Sequence, residues 1–224
     1  MENKRYDFID KVEDISNLYI NELQPLLILI ETNEQTYPIE ILNETRCYCD
    51  HISKCFNKNI TNEQKDKNIK NAYEHVVRAV ICCYKTLISH NLKLLKNLEK
   101  EYPTVDFHDV DNGDFYPKYY LLETDVKEGY KTARQLEIED KTPCYDIMTY
   151  YKEVFNTSNH IKEFINENRS KIEWTRLKYR KQKIRSKIAW LISIIVTCIL
   201  TNNNQQILEW LINLFENIKN LLGK

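Results

Sequence analysis

The chain of 224 residues contains only three glycines and five prolines. A β-sandwich or an α/β protein of this length needs many more, because these two residues supply most tight turns. Their scarcity favours long helices with few breaks. We therefore predict an all-α fold, a helical bundle with a long C-terminal stalk helix and a membrane segment.

The seven cysteines are an odd number, and the first fourteen residues, MENKRYDFIDKVED, lack the apolar stretch of a secretory signal. Both observations argue against a disulfide-stabilised secreted domain, and we expect reduced, mostly buried thiols in a cytosolic body. The sequence also lacks a glycine-rich phosphate loop, an HExxH motif and a Ser/His/Asp signature. We therefore expect no cofactor.

Charge is distributed unevenly along a chain whose formal net charge is only −1. Residues 1–168 contain 21 basic and 30 acidic side chains, a net of −9, whereas residues 169–187 contain nine basic and one acidic, a net of +8. Residues 188–224 balance two lysines against two glutamates. An acidic body, a basic segment and an apolar tail are therefore three physically distinct zones.

Apolar residues recur at three- to four-residue spacing over most of the first 187 positions, which predicts amphipathic helices. A capping signal at residues 61–64 precedes the longest helix, and Pro25 is expected to kink or break the first. Two prolines, a glycine and several aspartates predict a loop over residues 102–120. The expected helices cover residues 3–32, 36–58, 64–101, 121–140 and 145–187.

Seven cations precede an uncharged apolar stretch that begins at Ile188. As a helix, the stretch to Leu200 would be about 20 Å long, which is short of a hydrocarbon core of about 30 Å. The uncharged interval reaches Leu208, however, and a basic flank is typical of the cytoplasmic side of a membrane segment. We therefore predict membrane association, with a soluble bundle as the alternative. The cations expected at lipid headgroups, called the collar below, are Arg176, Lys178, Arg180, Lys181, Lys183, Arg185 and Lys187.

The predicted membrane segment, residues 188–222, has three parts: an apolar span (188–200), an Asn/Gln turn (201–206) and an amphipathic helix (207–222). Polar groups at membrane depth need water or protein partners. Two topologies remain open, a single short span with the tail at the far interface, and an oligomer in which the tail lines a water-filled path. The residues expected to face that path are Asn202, Asn203, Asn204, Glu209, Asn213 and Glu216.

Arg46 and His51 have the Arg-x4-His spacing of HEPN ribonucleases, and residues 72–79 resemble a helix of HEPN-like bacterial proteins. The resemblance implies that the histidine acts as an acid or base on an RNA 2′-hydroxyl and that the arginine stabilises the developing phosphorane. Cys47 replaces the polar residue that usually follows the arginine. We therefore interpret the body as HEPN-like and expect no catalysis, with Arg46 and His51 as the catalytic pair if that expectation fails.

Two other segments contain metal-ligand residue types. Cys47, Cys49, His51 and Cys55 lie within nine residues, but on a helix Cys47 and Cys49 point about 200° apart and cannot share a zinc ion. The aspartate-rich stretch within residues 105–114 lacks the ligand spacing of an EF-hand, which favours a solvated loop. We therefore expect no metal site.

A cytosolic helical body (1–144), a basic stalk helix (145–187) and a C-terminal membrane segment (188–222) together resemble bacterial antiviral membrane effectors. Examples are the HEPN-like membrane pore protein that accompanies a type VI CRISPR effector and the channel effector of the Hailong system. The resemblance implies a homo-oligomeric pore in the inner membrane, with lipid as a partner and a nucleotide, an oligonucleotide or a protein as regulatory ligand. Stable duplex DNA binding is not expected. An RNA-cleaving toxin and a tail-anchored scaffold without activity are the alternatives.

Overall fold

The computed structural model describes residues 2–34, 36–139 and 145–200, together with positions 209, 212 and 213. These residues form α-helices and short helical turns, and no strand occurs among them. The all-α prediction is confirmed. The chain divides into two compact units, residues 1–170 and 171–224, which are described separately.

In the described residues up to position 200, six α-helices and two short helical segments follow one another. A π-helical turn at Tyr19–Leu23 lies between the first two helices, and a 3-10 segment at Phe107–Gly113 precedes the fifth. The helices are α1 (Glu2–Leu18), α2 (Gln24–Glu34), α3 (Ile39–Cys55), α4 (Asn62–Glu101), α5 (Phe115–Glu139) and α6 (Tyr145–Leu200).

Helix α4 supplies more of the described core of the first unit than any other helix. It begins with the predicted capping box, in which Gln64 N–H donates to the Thr61 hydroxyl and the Thr61 N–H donates to the Gln64 side chain. Its buried residues recur at three- to four-residue spacing between Ile69 and Leu98, so that one side of the helix is apolar over about eight turns. They include Val76, Val80, Tyr84, Leu87, Ile88, Leu95 and Leu98.

The predicted break near Pro25 takes the form of the π-helical turn at Tyr19–Leu23. Proline has no N–H to donate and its ring clashes with the carbonyl four residues earlier, which the wider turn relieves. The Gln24 N–H instead donates to the carbonyl of Tyr19, five residues back. Ile15, Leu23 and Ile30, which lie before, within and after this turn, are all buried.

The predicted loop over residues 102–120 is wrong from residue 115 onward, because α5 begins at Phe115. Pro117 lies in the first turn of α5, where a backbone N–H has no partner within the helix and proline costs nothing. Phe115 itself is buried and stacks on Phe164 of α6, with 4.9 Å between ring centroids. This long-range aromatic contact stabilises a helix that begins immediately after the turn residues.

Within the first unit, residues 145–170 of α6 pack through buried apolar and polar side chains. Tyr151 is fully buried, and its hydroxyl donates to Glu137 of α5 at 2.7 Å. Buried Asn91 of α4 donates to Ser158 at 2.9 Å. These hydrogen bonds satisfy polar groups that would otherwise cost free energy in the core.

Among the described residues, no helix is long and apolar enough to cross a membrane. The predicted span from Ile188 lies in the last part of α6, and residues 201–208, over which the uncharged interval continues, lie outside the described residues.

Candidate functional site

The collar lies on the part of α6 that belongs to the second unit, and all seven of its cations are exposed. Helical geometry separates the collar into two groups, because successive residues turn by about 100°. Three cations lie one above another at positions 178, 181 and 185, while the other four point to the opposite side. The collar therefore presents two different basic surfaces.

The first basic surface combines cations with apolar and aromatic side chains. It forms a groove of about 510 Å³, lined by Trp174, Leu177, Lys178, Lys181, Gln182 and Arg185, and we call it the Trp174 face. The indole of Trp174 is 63% exposed, and the Lys178 ammonium lies 5.5 Å from its ring centroid. This distance is within the range of a cation–π interaction.

The second basic surface contains Arg176, Arg180, Lys183 and Lys187. The guanidinium of Arg176 lies 2.8 Å from the carboxylate of Glu173, the single acidic residue between positions 168 and 188. One of these four cations is therefore already partly neutralised by the chain itself.

The apolar stretch after the collar is exposed on more than one side of the helix. Ile188, Ile192 and Val196 lie on the side of the Trp174 face, and their exposed fractions are 50%, 55% and 47%. Trp190 points to the opposite side and is 60% exposed. Water is a poor environment for a helix with large apolar side chains all round, since such helices are normally buried in protein or lipid.

The tail residues predicted to face a water-filled path fall largely outside the described residues, namely Asn202, Asn203, Asn204 and Glu216. Glu209 and Asn213 are described, and both are helical and exposed.

His51 lies on α3, on the side that faces α4. Its Nδ1 is 2.8 Å from the side-chain oxygen of Asn68, whose amide nitrogen donates to the carbonyl of Gln64 at 2.9 Å. Since that amide oxygen can only accept, the Nδ1 of His51 donates. The Nε2 of a neutral His51 is therefore unprotonated.

His75 of α4 stacks on His51, with 5.3 Å between ring centroids and 16° between ring planes. Its Nδ1 is 2.6 Å from a carboxylate oxygen of Glu44, which accepts the hydrogen bond. The Nε2 of a neutral His75 is therefore unprotonated as well. Two imidazoles with the same tautomer thus lie side by side between α3 and α4.

The structure does not bring Arg46 and His51 together. Five residues along an α-helix correspond to about 500° of rotation, so the two side chains point about 140° apart. Arg46 is exposed on the outer side of α3, near Asp50. The hydrogen bond from Lys54 holds the pKa of the Asp50 carboxyl below its usual value.

The sequence analysis missed Glu44 and Asn68, which hydrogen-bond the two histidines, and included His75 only within residues 72–79, the segment that resembles a HEPN-like helix. The signal was present, because Ile41, Glu44, His51 and Cys55 recur at spacings of three, seven and four residues. Polar side chains within an otherwise apolar stripe of this kind indicate a helix–helix interface with hydrogen-bonded side chains rather than an exposed face.

The cysteines of residues 47–55 and the aspartates of residues 105–114 lie in the described part of the chain. Cys55 is buried, Cys49 is exposed, and no group of three or more potential metal-ligating side chains gathers anywhere among the described residues. In the loop before α5, the Asp106 carboxylate accepts from the His108 N–H at 3.0 Å and so starts the 3-10 segment. Asp111 and Asn112, each with a φ of 55°, reverse the chain before Gly113.

No protein-family model, curated protein or solved structure matches this chain.

Proposed function

We propose that the protein is a homo-oligomeric effector that binds the cytoplasmic surface of the inner membrane through the second part of α6 and permeabilises the membrane. The observation that supports the proposal is the apolar stretch from Ile188, whose large side chains are exposed on opposite sides directly after seven exposed cations. The first unit is then a cytoplasmic body.

Both components of this arrangement favour an anionic membrane as partner. Exposed isoleucine and tryptophan side chains gain free energy when acyl chains replace water around them. Each lysine or arginine near an anionic leaflet contributes about 1 kcal/mol more. A basic flank also matches the cytoplasmic side of inserted segments.

An oligomer follows from the distribution of apolar residues around the helix. A helix at a membrane surface covers only one side with lipid, whereas Trp190 and Ile192 lie on opposite sides of α6. Contact with neighbouring copies would cover the remaining side. The Asn/Gln turn at 201–206 and Glu209 would then meet water at the centre of such an assembly.

Reconstitution into vesicles tests this function. Full-length protein added to vesicles of phosphatidylglycerol and phosphatidylethanolamine is expected to bind, to form cross-linkable oligomers and to release an entrapped dye or ions. Vesicles of phosphatidylcholine, which have no net charge, serve as the control and should bind at least about tenfold less protein, because the collar finds no anionic surface. If the protein binds the vesicles and forms oligomers but releases nothing, the effector function is rejected and the tail-anchored scaffold without activity is the remaining alternative.

The paired histidines support RNA cleavage as a second candidate function. Acid–base cleavage of a phosphodiester needs one group to accept and one to donate a proton. The stacked rings of His51 and His75 offer two adjacent Nε2 atoms, of which one would accept the proton in a neutral ring and the other would donate it from a protonated ring. The exposed Arg46, which points away from this pair, would not assist.

Substitution of the histidines separates the two functions. His51→Ala, checked for native helix content by circular dichroism, is expected to release vesicle contents at a rate within about twofold of wild type, because His51 is remote in sequence from the collar and makes a hydrogen bond that supports packing. Incubation of both proteins with a single-stranded RNA should give no cleavage. Cleavage by wild type that disappears in folded His51→Ala and His75→Ala would instead establish the ribonuclease.

A further inference from the structure

We infer that the Trp174 face, rather than the collar as a whole, is the membrane-contact surface of α6, and that it binds the phosphate groups of anionic phospholipids with the helix lying along the membrane surface. This inference rests on the proposed function, in that a membrane is the partner. In this arrangement three cations of the collar contact lipid, and the other four point away from the membrane.

The first argument is that the three cations of this face converge. Lys178, Lys181 and Arg185 are separated by three and four residues, so their side chains are neighbours on the helix surface. They line one groove of about 510 Å³, in which a single phosphate can accept from more than one of them. Arginine adds a planar pair of donors that matches phosphate oxygens.

The second argument is that the same face contains the residue types of a membrane interface. Trp174 and Leu177 are 63% and 43% exposed and lie beside the cations. Tryptophan is enriched at the headgroup level, where its ring meets apolar groups and its N–H meets polar ones. Lysine stems can also cover apolar surface while the ammonium groups reach the phosphates.

The third argument is that the face continues into the apolar stretch. Ile188 and Ile192 follow Arg185 at intervals of three and seven residues, on the same side of the helix as Trp174. Both are at least half exposed. With this face turned to the membrane, the isoleucines enter the boundary of the acyl chains while the cations remain among the phosphates.

An upright helix would give a different arrangement. Trp174 lies fourteen residues before Ile188, which is about 21 Å along the axis, so an upright helix would hold the indole in water. A helix along the surface places Trp174 and Ile188 at the same membrane. The depth of Trp174 therefore distinguishes the two orientations.

Two charge-matched triple variants test the face in the full-length protein. Lys178→Gln/Lys181→Gln/Arg185→Gln removes the cations of the Trp174 face, and Arg180→Gln/Lys183→Gln/Lys187→Gln removes three from the other side. In sedimentation with phosphatidylglycerol vesicles, we expect the first variant to lose at least about tenfold in affinity and the second to lose less than about threefold. A diffuse electrostatic attraction would weaken both equally, and equal losses would overturn the inference.

Trp174 itself provides the second measurement. In Trp190→Phe/Trp210→Phe, Trp174 is the one remaining indole, and its emission is expected to shift to shorter wavelength on vesicle binding and to be quenched by a headgroup spin label. Unshifted and unquenched emission from vesicle-bound protein would overturn the surface orientation. Inorganic phosphate and a single-stranded RNA oligonucleotide are included as competitors, and displacement of the vesicles by micromolar RNA would assign the face to nucleic acid instead.

These outcomes are independent of membrane permeabilisation, which is recorded in parallel by dye release. Equal losses in the two triple variants, with release by the wild type retained, would reject the Trp174 face and leave the proposed function intact. Unequal losses without any release would keep the face as a lipid-binding surface and reject the effector function.

Discussion

Ile192→Lys/Val196→Lys is expected to abolish stable binding to phosphatidylglycerol vesicles. Both side chains are about half exposed, so the lysines displace little protein packing. Insertion scales assign roughly 2.5–3.5 kcal/mol to each lysine at the centre of a membrane segment. At an interface the penalty is smaller, but the substitutions also remove the burial of an isoleucine and a valine, about 1.5–3 kcal/mol each, which exceeds the about 1 kcal/mol gained by each added charge. The measurement is co-sedimentation of the full-length protein over a range of lipid concentrations.

Gln182→Lys/Ser186→Lys is the matched control, because it adds the same charge at exposed positions before the apolar stretch. We expect this control to bind anionic vesicles at least as tightly as wild type, since its lysines join the collar. Binding of Ile192→Lys/Val196→Lys at wild-type affinity would show that the apolar stretch is not in contact with lipid and would remove the main support for a membrane effector.

Glu137→Gln is expected to lower the free energy of unfolding by about 2–3 kcal/mol, the largest effect that we predict for the body. One Glu137 oxygen accepts from Lys85, and the other accepts from Tyr151 at 2.7 Å and Arg134 at 2.9 Å. Glutamine would replace one carboxylate oxygen, a hydrogen-bond acceptor, with an NH₂ group, which is a donor. Lys85 and Arg134 would then lie beside a neutral side chain. Urea unfolding followed by circular dichroism measures the change.

The pH dependence of the same carboxylate gives a second readout. Burial raises the pKa of Glu137, but the hydrogen bonds from Lys85 and Tyr151 and the nearby positive charges outweigh it, so the pKa lies below the ordinary value of 4.5. A lowered pKa in the folded state means that the contribution to stability is present above pH 4.5 and is lost as the pH falls further. Below pH 4.5, the free energy of unfolding of Glu137→Gln should therefore decrease less steeply with falling pH than that of wild type.

Glu128→Gln is the control for the body, because Glu128 pairs with Lys131 at 3.6 Å on an exposed part of α5. Exposed ion pairs are worth less than about 1 kcal/mol, and this variant should unfold close to wild type. Equal destabilisation by Glu137→Gln and Glu128→Gln would contradict a special role for this partly buried network.

The core side of α4 could be predicted from the sequence, whereas that of α3 could not. The apolar residues of α4 recur at the predicted three- to four-residue spacing, and most of them are buried. On α3, the apolar residues Ile39 and Leu42 are exposed, whereas Ile41 between them is buried. A long, continuous stripe specifies one side of a helix, but a short helix with few apolar residues packs wherever its neighbour offers complementary groups.

The candidate sites show the same division. The sequence alone determined the helical class, because three glycines and five prolines leave few turns, and it determined the order of acidic, basic and apolar zones along the chain. Only the tertiary structure decided that His51 contacts Asn68 and His75 and does not contact Arg46. Asn68 and His75 lie 17 and 24 residues away from His51 in sequence. It also decided that Ile188 and Trp190 are exposed, because burial depends on what packs around a helix and periodicity reports only which residues share a side.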